Sequence, residues 1–203
     1  MNRLAERLRR SFADHDETEA APLLDQPDLI ADVGRLIHAA VLVPIIDAPI
    51  PRVLLTVRDA GLRSHAGQVA FPGGRLDPED DGPIGAALRE AWEEVGLPAD
   101  RVDIIGATRS HATGSGYLIT PVIGVIPDGL ELKPHEAEVA GVFEVPLDHL
   151  LAEANHLRKS AIFNGIERHF YEIDWPEERI WGVTAGLIVS LAPRLRGAIG
   201  TLA

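Results

Sequence analysis

Pro83-Ile-Gly-Ala-Ala-Leu-Arg-Glu-Ala-Trp-Glu-Glu-Val-Gly96 is the stretch whose reading decides the fold. On a helical wheel, at about 100° per residue, Ala87, Leu88, Ala91 and Val95 fall within roughly 60° of Ile84 and make one apolar stripe. Pro83 lies in the first turn, Asp81 is the expected N-cap, and Gly96 with Pro98 stops the helix. Glu90 and Glu94 fall at the edge of the stripe, while Glu93 points farther out. The helix therefore rests on the protein body and carries two carboxylates where core meets solvent. Carboxylates three and four residues apart repel by about 0.2–0.5 kcal/mol per exposed pair, and by more when partly desolvated. A divalent cation removes that repulsion, and an all-oxygen donor set suits a hard ion such as Mg²⁺. Arg89, four residues before Glu93, is placed to pair with it. A solvated acidic face has the same composition. What distinguishes this one is the Gly73-Gly74 turn ahead of it, where backbone can approach a ligand closely.

Outward from this helix the chain reads as strands with a few helices. Leu4, Leu8 and Phe12 recur every four residues and predict a short amphipathic helix. Residues 14–28 are acidic and proline-bearing, a surface connection. Ala39 to Ile46 and Val53 to Arg58 read as strands, joined as a hairpin around Asp47 to Pro51. Asp59 to Gln68 is a loop, Phe71 to Gly74 ends a short strand in a sharp turn, and Leu76 to Pro83 is an acidic loop. Val102 to Thr108, Ile119 to Ile126, Val139 to Val145 and His169 to Ile173 read as strands. Leu147 to Ala154 and Trp181 to Leu195 read as helices. Strands and helices mixed in this way give a layered α+β domain.

Composition narrows the function. The chain has 203 residues, of which 46% are hydrophobic, enough for one compact core and short for two. Its 31 acids against 19 Lys and Arg leave a formal net charge of −12, which argues against general nucleic-acid affinity. The sequence has no cysteine, so disulfides, thiolate metal sites and cysteine nucleophiles are excluded. Met1 to Arg10 lacks an apolar signal core. No apolar run reaches the roughly 18 residues of a membrane span. The expectation is a cytoplasmic protein with no membrane or nucleic-acid partner.

Gly74 followed by Arg89-Glu-Ala-Trp-Glu-Glu-Val-Gly-Leu97 resembles the Nudix box of phosphoanhydride hydrolases. That box runs Gly, five residues, Glu, seven residues, then Arg-Glu-apolar-x-Glu-Glu-x-Gly-apolar. The second half matches, with Ala91 smaller than the usual residue. In the first half Gly74 stands one residue too far from Arg89, and the early acid falls to Glu79, Asp80 or Asp81. Leu54-Leu-Thr-Val-Arg58, Arg63, His65, Gly67 and Phe71-Pro-Gly-Gly74 resemble the motif that precedes the box in coenzyme A pyrophosphatases, as do Ser115-Gly116, Glu138-Val139 and Trp181-Gly-Val-Thr-Ala185 farther on. Asp59 departs from that motif, where a small residue is expected. The resemblance covers roughly residues 40 to 190.

The resemblance implies a Nudix α/β/α sandwich, with a mixed sheet between helices. It divides the chain into an N-terminal helix and connection, 1–28, and a single Nudix domain, 29–203. The implied reaction is hydrolysis of coenzyme A to adenosine 3′,5′-bisphosphate and 4′-phosphopantetheine. The alternatives are another nucleoside diphosphate derivative, such as ADP-ribose or NADH, or an inactive ligand-binding Nudix fold. Mg²⁺ or Mn²⁺ is the expected cofactor, held by Glu90 and Glu94 with Glu93 and the Gly74 carbonyl as further ligands. Glu93 is the expected general base, with Glu138 on a distal loop as its rival and Arg89 beside them in the catalytic set. Arg58, Arg63, Gly73 and Gly74 are expected to bind substrate, and each arginine also reads as an ordinary surface residue. His65 and His111 read as structural loop residues, with phosphate binding as the alternative, and Tyr117 as core, with stacking on adenine as the alternative; Trp181 is expected to be core, and Asp80 and Asp81 to cap the helix. The expected partner is a small-molecule substrate, with a homodimer left open.

Overall fold

The computed structural model describes residues 3–13, 21–22, 35–62, 64–163 and 165–200. In chain order these form α1 (Arg3–Ala13), β1 (Ala21–Pro22), β2 (Ile37–Asp47), β3 (Arg52–Arg58), β4 (Val69–Ala70) and β5 (Gly73–Arg75). Then come α2 (Gly82–Val95), β6 (Asp103–Ala107), β7 (His111–Ala112), β8 (Tyr117–Pro127) and β9 (Val139–Pro146). The chain continues through α3 (Leu147–Leu151), β10 (His156–Phe163), β11 (Ile166–Ile173), β12 (Ile180–Trp181) and α4 (Gly182–Ile199).

The centre of the molecule is a parallel pair, β2 against β8, in register from Ile37↔Tyr117 to Asp47↔Pro127. Both strands are buried along most of their length, so they are rich in Val, Ile and Leu and show no polar alternation. The remaining strands of this mixed sheet run in the order β1-β7-β8-β2-β3-β4, with β5 also on β2, β6 on β8 and β9 on β3. Alternation along the strands separates two cores. Val43, Ile45, Val53 and Leu55 face α1, α3 and α4, while Ala40, Leu42, Ile46 and Leu54 face Ala87, Ala91 and Val95 of α2. The result is a three-layer sandwich of α+β class, a mixed sheet between helices, as the resemblance implies. A second, three-stranded sheet, β10-β11-β12, packs beside α4. Among the described residues no helix is long and apolar enough to cross a membrane.

One detail of the sheet builds the site. β2 and β3 do form the expected antiparallel pair, but only at Ile45↔Val53 and Ile46↔Arg52. Beyond that they part. β4 pairs with β3 at Thr56↔Ala70 and Val57↔Val69, and β5 pairs with β2 at Ala39, Ala40 and Val41. The Phe71-Pro72 corner bridges the fork, with the Leu42 N–H donating to the Pro72 carbonyl at 2.8 Å. The Gly-Gly turn is thereby held in the sheet, under α2.

Several elements differ from the sequence reading. His156–Phe163, which carried no assignment, is a full strand paired with β11 from His156↔Ile173 to Phe163↔Ile166. Residues 157–162 are all exposed, Leu157 and Ile162 included, so no buried apolar face announces it. The helix expected over Leu147 to Ala154 ends at Leu151, and a 3-10 turn follows over Glu153–Asn155. Within the acidic connection, β1 makes a short parallel ladder with His111 and Ala112 of β7; the rest of residues 14–28 lies outside the described residues. Asp81 precedes α2 but makes no side-chain cap.

α1 belongs to the larger core. Leu4, Ala5 and Leu8 are buried there, the Ser11 hydroxyl donates to the Arg194 carbonyl at 2.8 Å, and Arg7 donates to the Ile199 carbonyl at 3.2 Å. Arg9 is ion-paired with Asp103 of β6. Leu8→Ala is expected to cost about 2–5 kcal/mol of global stability, the range for a buried leucine. Urea unfolding followed by circular dichroism and by tryptophan fluorescence would read it as one shared, shifted transition. A separate early loss of helix, with the main transition unmoved, would show instead that α1 is an independent appendage.

Candidate active site

α2 brings its apolar stripe onto the sheet through alanines. Ala86, Ala87 and Ala91 are fully buried, and their small size lets the helix axis approach the strands closely. Glu94, at the edge of that stripe, is consequently driven against the Gly-Gly turn. It is 4% exposed. Its Oε2 accepts the Gly73 N–H at 3.1 Å, and its Oε1 lies 3.8 Å from Nη1 of Arg58. Burial pushes the Glu94 carboxyl up to about 7, against the opposing pull of the Gly73 N–H and Arg58. Glu90, one turn earlier, is also raised by burial, with Arg89 opposing. A Cβ added at Gly74 would lie 2.3 Å from Glu90 Oε1. Position 74 therefore has to be glycine for Glu90 to sit against this backbone.

Arg89 organises the acidic face. Its Nε and Nη2 hold the two oxygens of Asp80 at 2.9 and 3.0 Å, a bidentate pair. Its Nη1 donates to Glu90 at 3.0 Å and Glu93 at 2.9 Å, and Nη2 also donates to the Arg75 carbonyl at 3.0 Å. These contacts match the five N–H donors of the guanidinium, and they hold the Asp80 carboxyl below its usual range. The expectation that Asp80 and Asp81 cap α2 is thus corrected. Asp80 is the partner of Arg89, and five residues separate it from Gly74, the spacing of the early acid in the family pattern. The extra residue relative to the family pattern falls between Asp80 and Arg89, in the turn before the helix. Glu79 is exposed.

Glu138 reaches the same place from a distant loop. The His135 N–H donates to the Glu94 carbonyl, the Lys133 N–H to the Val95 carbonyl, and the Asp59 N–H to the Glu138 carbonyl. These bonds strap the loop to the end of α2 and to the end of β3. The Glu138 charge raises both Glu90 and Glu94. Its carboxylate is half exposed and 3.6 Å from His135 Nδ1. Glu93, by contrast, faces outward in its pair with Arg89.

Arg63 lies outside the described residues. Asp59 spends its carboxylate locally, accepting the Gly61 N–H at 2.7 Å. His65, in the left-handed region at φ 57, meets Gln68 at 2.9 Å, and the buried His111 meets the Ser190 hydroxyl at 3.2 Å. The two aromatic expectations need correction. Tyr117 is half-buried at the mouth of β8, where its hydroxyl accepts from Arg75 at 3.1 Å. Trp181 is half-buried on β12, edge-on to Phe170 and covered by Arg179.

The donors fit a hard divalent cation. Glu90 and Glu94 are two desolvated carboxylates of like charge, and the backbone of the Gly-Gly turn lies against both. Among the described residues no three acidic or imidazole side chains gather closely enough to enclose an ion by themselves. The two carboxylates with backbone beside them are hard oxygen donors, which suit a divalent cation that keeps part of its water.

The raised Glu94 carboxyl makes stability depend on pH. Between its ordinary value of 4.5 and about 7, the folded protein binds more protons than the unfolded chain. Its stabilising contribution is full below 4.5 and is lost as pH rises through about 7. A shift of this size is worth on the order of a few kcal/mol. The Tm of metal-free wild type is expected to fall relative to Glu94→Gln across that window. Asp80 and Glu172, held low by Arg89 and by Lys159 with Arg179, act at lower pH and cancel in the difference. Parallel Tm curves for the two proteins would place Glu94 in water. Gly74→Ala is expected to displace the Glu90 carboxylate and weaken calorimetric Mn²⁺ binding roughly 10- to 100-fold; unchanged affinity would separate this glycine from the site.

Residues 36–164 match the NUDIX domain model. The chain is 45% identical over 170 residues, 84% of its own length and 90% of the other's, to a protein of Photorhabdus laumondii described as an uncharacterized Nudix hydrolase NudL. A protein of Yersinia enterocolitica with the same description is 44% identical over 173 residues, covering 85% of this chain and 88% of that one. Among solved structures, a MutT/nudix family protein from Enterococcus faecalis shares the fold at a TM-score of 0.51 and 14% identity, over 81% of this chain and 68% of that one. A match of that length and identity, falling on the sandwich and the carboxylate-bearing helix, puts the chain in the Nudix family, whose members are hydrolases of pyrophosphate bonds.

Proposed function

We propose that this enzyme hydrolyses the pyrophosphate bond of coenzyme A or its derivatives, yielding adenosine 3′,5′-bisphosphate and 4′-phosphopantetheine. The observation that carries the reading is the placement of Arg58. The last residue of the Leu54-Leu-Thr-Val-Arg58 motif stands beside Glu94, so the motif that resembles coenzyme A pyrophosphatases ends next to a carboxylate proposed to hold the metal. Asp59, the departure from that motif, turns its charge back on its own loop.

Glu90 and Glu94 would hold Mg²⁺ or Mn²⁺, with the Gly74 carbonyl as a backbone ligand. Bound there, the cation supplies Lewis-acid neutralisation of the diphosphate oxygens and makes water more acidic. The protein's own groups divide the remaining work. Glu138 accepts the proton of the attacking water on its carboxylate, a role supported by its reach to both acidic residues and by its freedom from Arg89. Glu93 is then an anchor for Arg89, and Arg89 fixes the orientation of Glu90. Arg58 offers a planar fork to a phosphate of the substrate. As the water oxygen bonds to phosphorus, the bridging P–O bond breaks and the leaving phosphate departs with its electron pair.

Incubation with coenzyme A, dephospho-coenzyme A, ADP-ribose and NADH, in Mg²⁺ and in Mn²⁺, with products weighed by mass spectrometry, tests the substrate. Coenzyme A is expected to have the highest kcat/KM and to yield the two named fragments. Preference for ADP-ribose or NADH would refute the coenzyme A reading while leaving the hydrolase intact. For the base, Glu138→Gln is expected to lower kcat by about 10²- to 10⁴-fold and remove the acidic limb of the pH–rate profile, while Glu93→Gln keeps that limb. The reverse pattern would transfer the role to Glu93.

A further inference from the structure

Arg58 occupies an electrostatic position that its role toward substrate does not explain. Alternation along β3 sends Leu54, Thr56 and Arg58 to the α2 face. A register shift between Val57 and Arg58 then marks the end of the pairing with β9. The backbone of Arg58 is fixed on both sides, its N–H donating to Gln68 and its carbonyl accepting from Gly67. The side chain is 28% exposed. Its Nε is buried and has no hydrogen-bond partner among the described residues. Its Nη1 is 3.8 Å from Glu94 Oε1, near enough for charge attraction and too far for a hydrogen bond. Arg89 is the contrast: its guanidinium is fully committed to Asp80, Glu90, Glu93 and the Arg75 carbonyl. Arg58 is thus a cation held beside a buried carboxylate by charge alone, with a desolvated donor still unspent.

We infer that Arg58 is a counter-ion that trades places with the metal. In the metal-free protein its guanidinium balances the Glu94 carboxylate. When the divalent cation takes Glu94, the like charges repel, the Arg58–Glu94 pair opens, and the guanidinium with its free Nε–H is released toward the substrate phosphates. Loading the cation therefore switches on the anion-binding arm, so cation and substrate assist each other beyond their direct contact. This rests on the assignment of Glu94 as a metal ligand, and it adds a definite sign: Arg58 opposes cation binding in the absence of substrate, while favouring it in its presence.

Calorimetric titration of Mn²⁺ into metal-free wild type, Arg58→Gln and Arg58→Lys, each checked for folding by circular dichroism, tests it. Without substrate, Arg58→Gln is expected to bind Mn²⁺ roughly five- to tenfold tighter than wild type, because a neighbouring positive charge has gone. Arg58→Lys, which keeps the charge, is expected to stay near wild type. With imidodiphosphate present, the gain in Mn²⁺ affinity should be smaller in Arg58→Gln than in wild type. Equal or weaker Mn²⁺ binding by Arg58→Gln overturns the exchange while leaving the metal assignment standing. Failure of wild type to bind the cation removes both. A crystal of the cation-loaded wild type decides without any variant. The Nη1–Oε1 separation is expected to open beyond about 4 Å, the limit of an ion pair, and a pair still closed in the loaded enzyme overturns the inference.

Discussion

Everything at this site depends on keeping the Glu94 carboxylate out of water and against the backbone of Gly73. A carboxylate in that position loses hydration, and one backbone N–H with a distant guanidinium does not restore it. Such a group weakens the fold rather than strengthening it. The compensation comes from the rigidity of the walls. The buried alanines of α2 set the helix close to Ala40 and Leu42 of β2, and the fork between β2 and β3 holds the Gly-Gly turn below it. A bulkier residue at position 91 would lift the helix and move Glu94 away from Gly73. The small residue there, a departure from the family pattern, is what the close approach requires.

The same economy of space explains the arrangement around Arg89. Four acids, Asp77, Glu79, Asp80 and Asp81, follow Gly74 before the helix begins, and only Asp80 meets the guanidinium in a bidentate pair. The extra residue between Asp80 and Arg89 is absorbed where α2 starts, at Gly82, whose φ of 63 lies in a region that other residues rarely adopt. The pair is therefore kept despite the added length, because the turn bends to accommodate it. Arg89 in turn prevents Glu90 and Glu93 from repelling one another apart. Its charge is absorbed by that task and is not on offer to a substrate.

Much of this was legible in the sequence, and the gaps have physical causes. α2 was legible because its apolar stripe and its acidic edge obey one period. β2, β3 and β8 were legible because burial on both faces demands uninterrupted apolar runs, and β9 because its Val and Phe positions stand out although Ala140 and Glu144 are exposed. β10 was not, since a strand exposed at most positions carries no burial signal. Long-range pairing was not legible either: nothing local in Ile37–Asp47 says that its neighbour is Tyr117–Pro127, or that the fork in the sheet opens where it does. Within the site, the proximity of Glu90 and Glu94 followed from helical spacing. The choice of Asp80 over its two acidic neighbours did not, because it depends on the path of a turn. The approach of Glu138 depends on three backbone hydrogen bonds between segments far apart in the chain.

The net charge of −12 is at first sight at odds with a polyanionic substrate. At physiological salt, charges farther off than about 8 Å are largely screened, so what matters is the local balance. Near Glu94 that balance is also negative, with Glu90 and Glu138 close by. Arg89 is committed to its acids, and Arg75 turns its guanidinium to Tyr117. Of these three arginines, Arg58 alone keeps a buried donor without a partner. An anion arriving at the metal-free protein therefore meets repulsion with little to offset it. On the proposed reading, the two positive charges of a cation held by Glu90 and Glu94 would offset most of that repulsion where a diphosphate would lie. Substrate capture would then be conditional on the cation, and a chain of this net acidity could admit a small diphosphate at this one place without a basic surface.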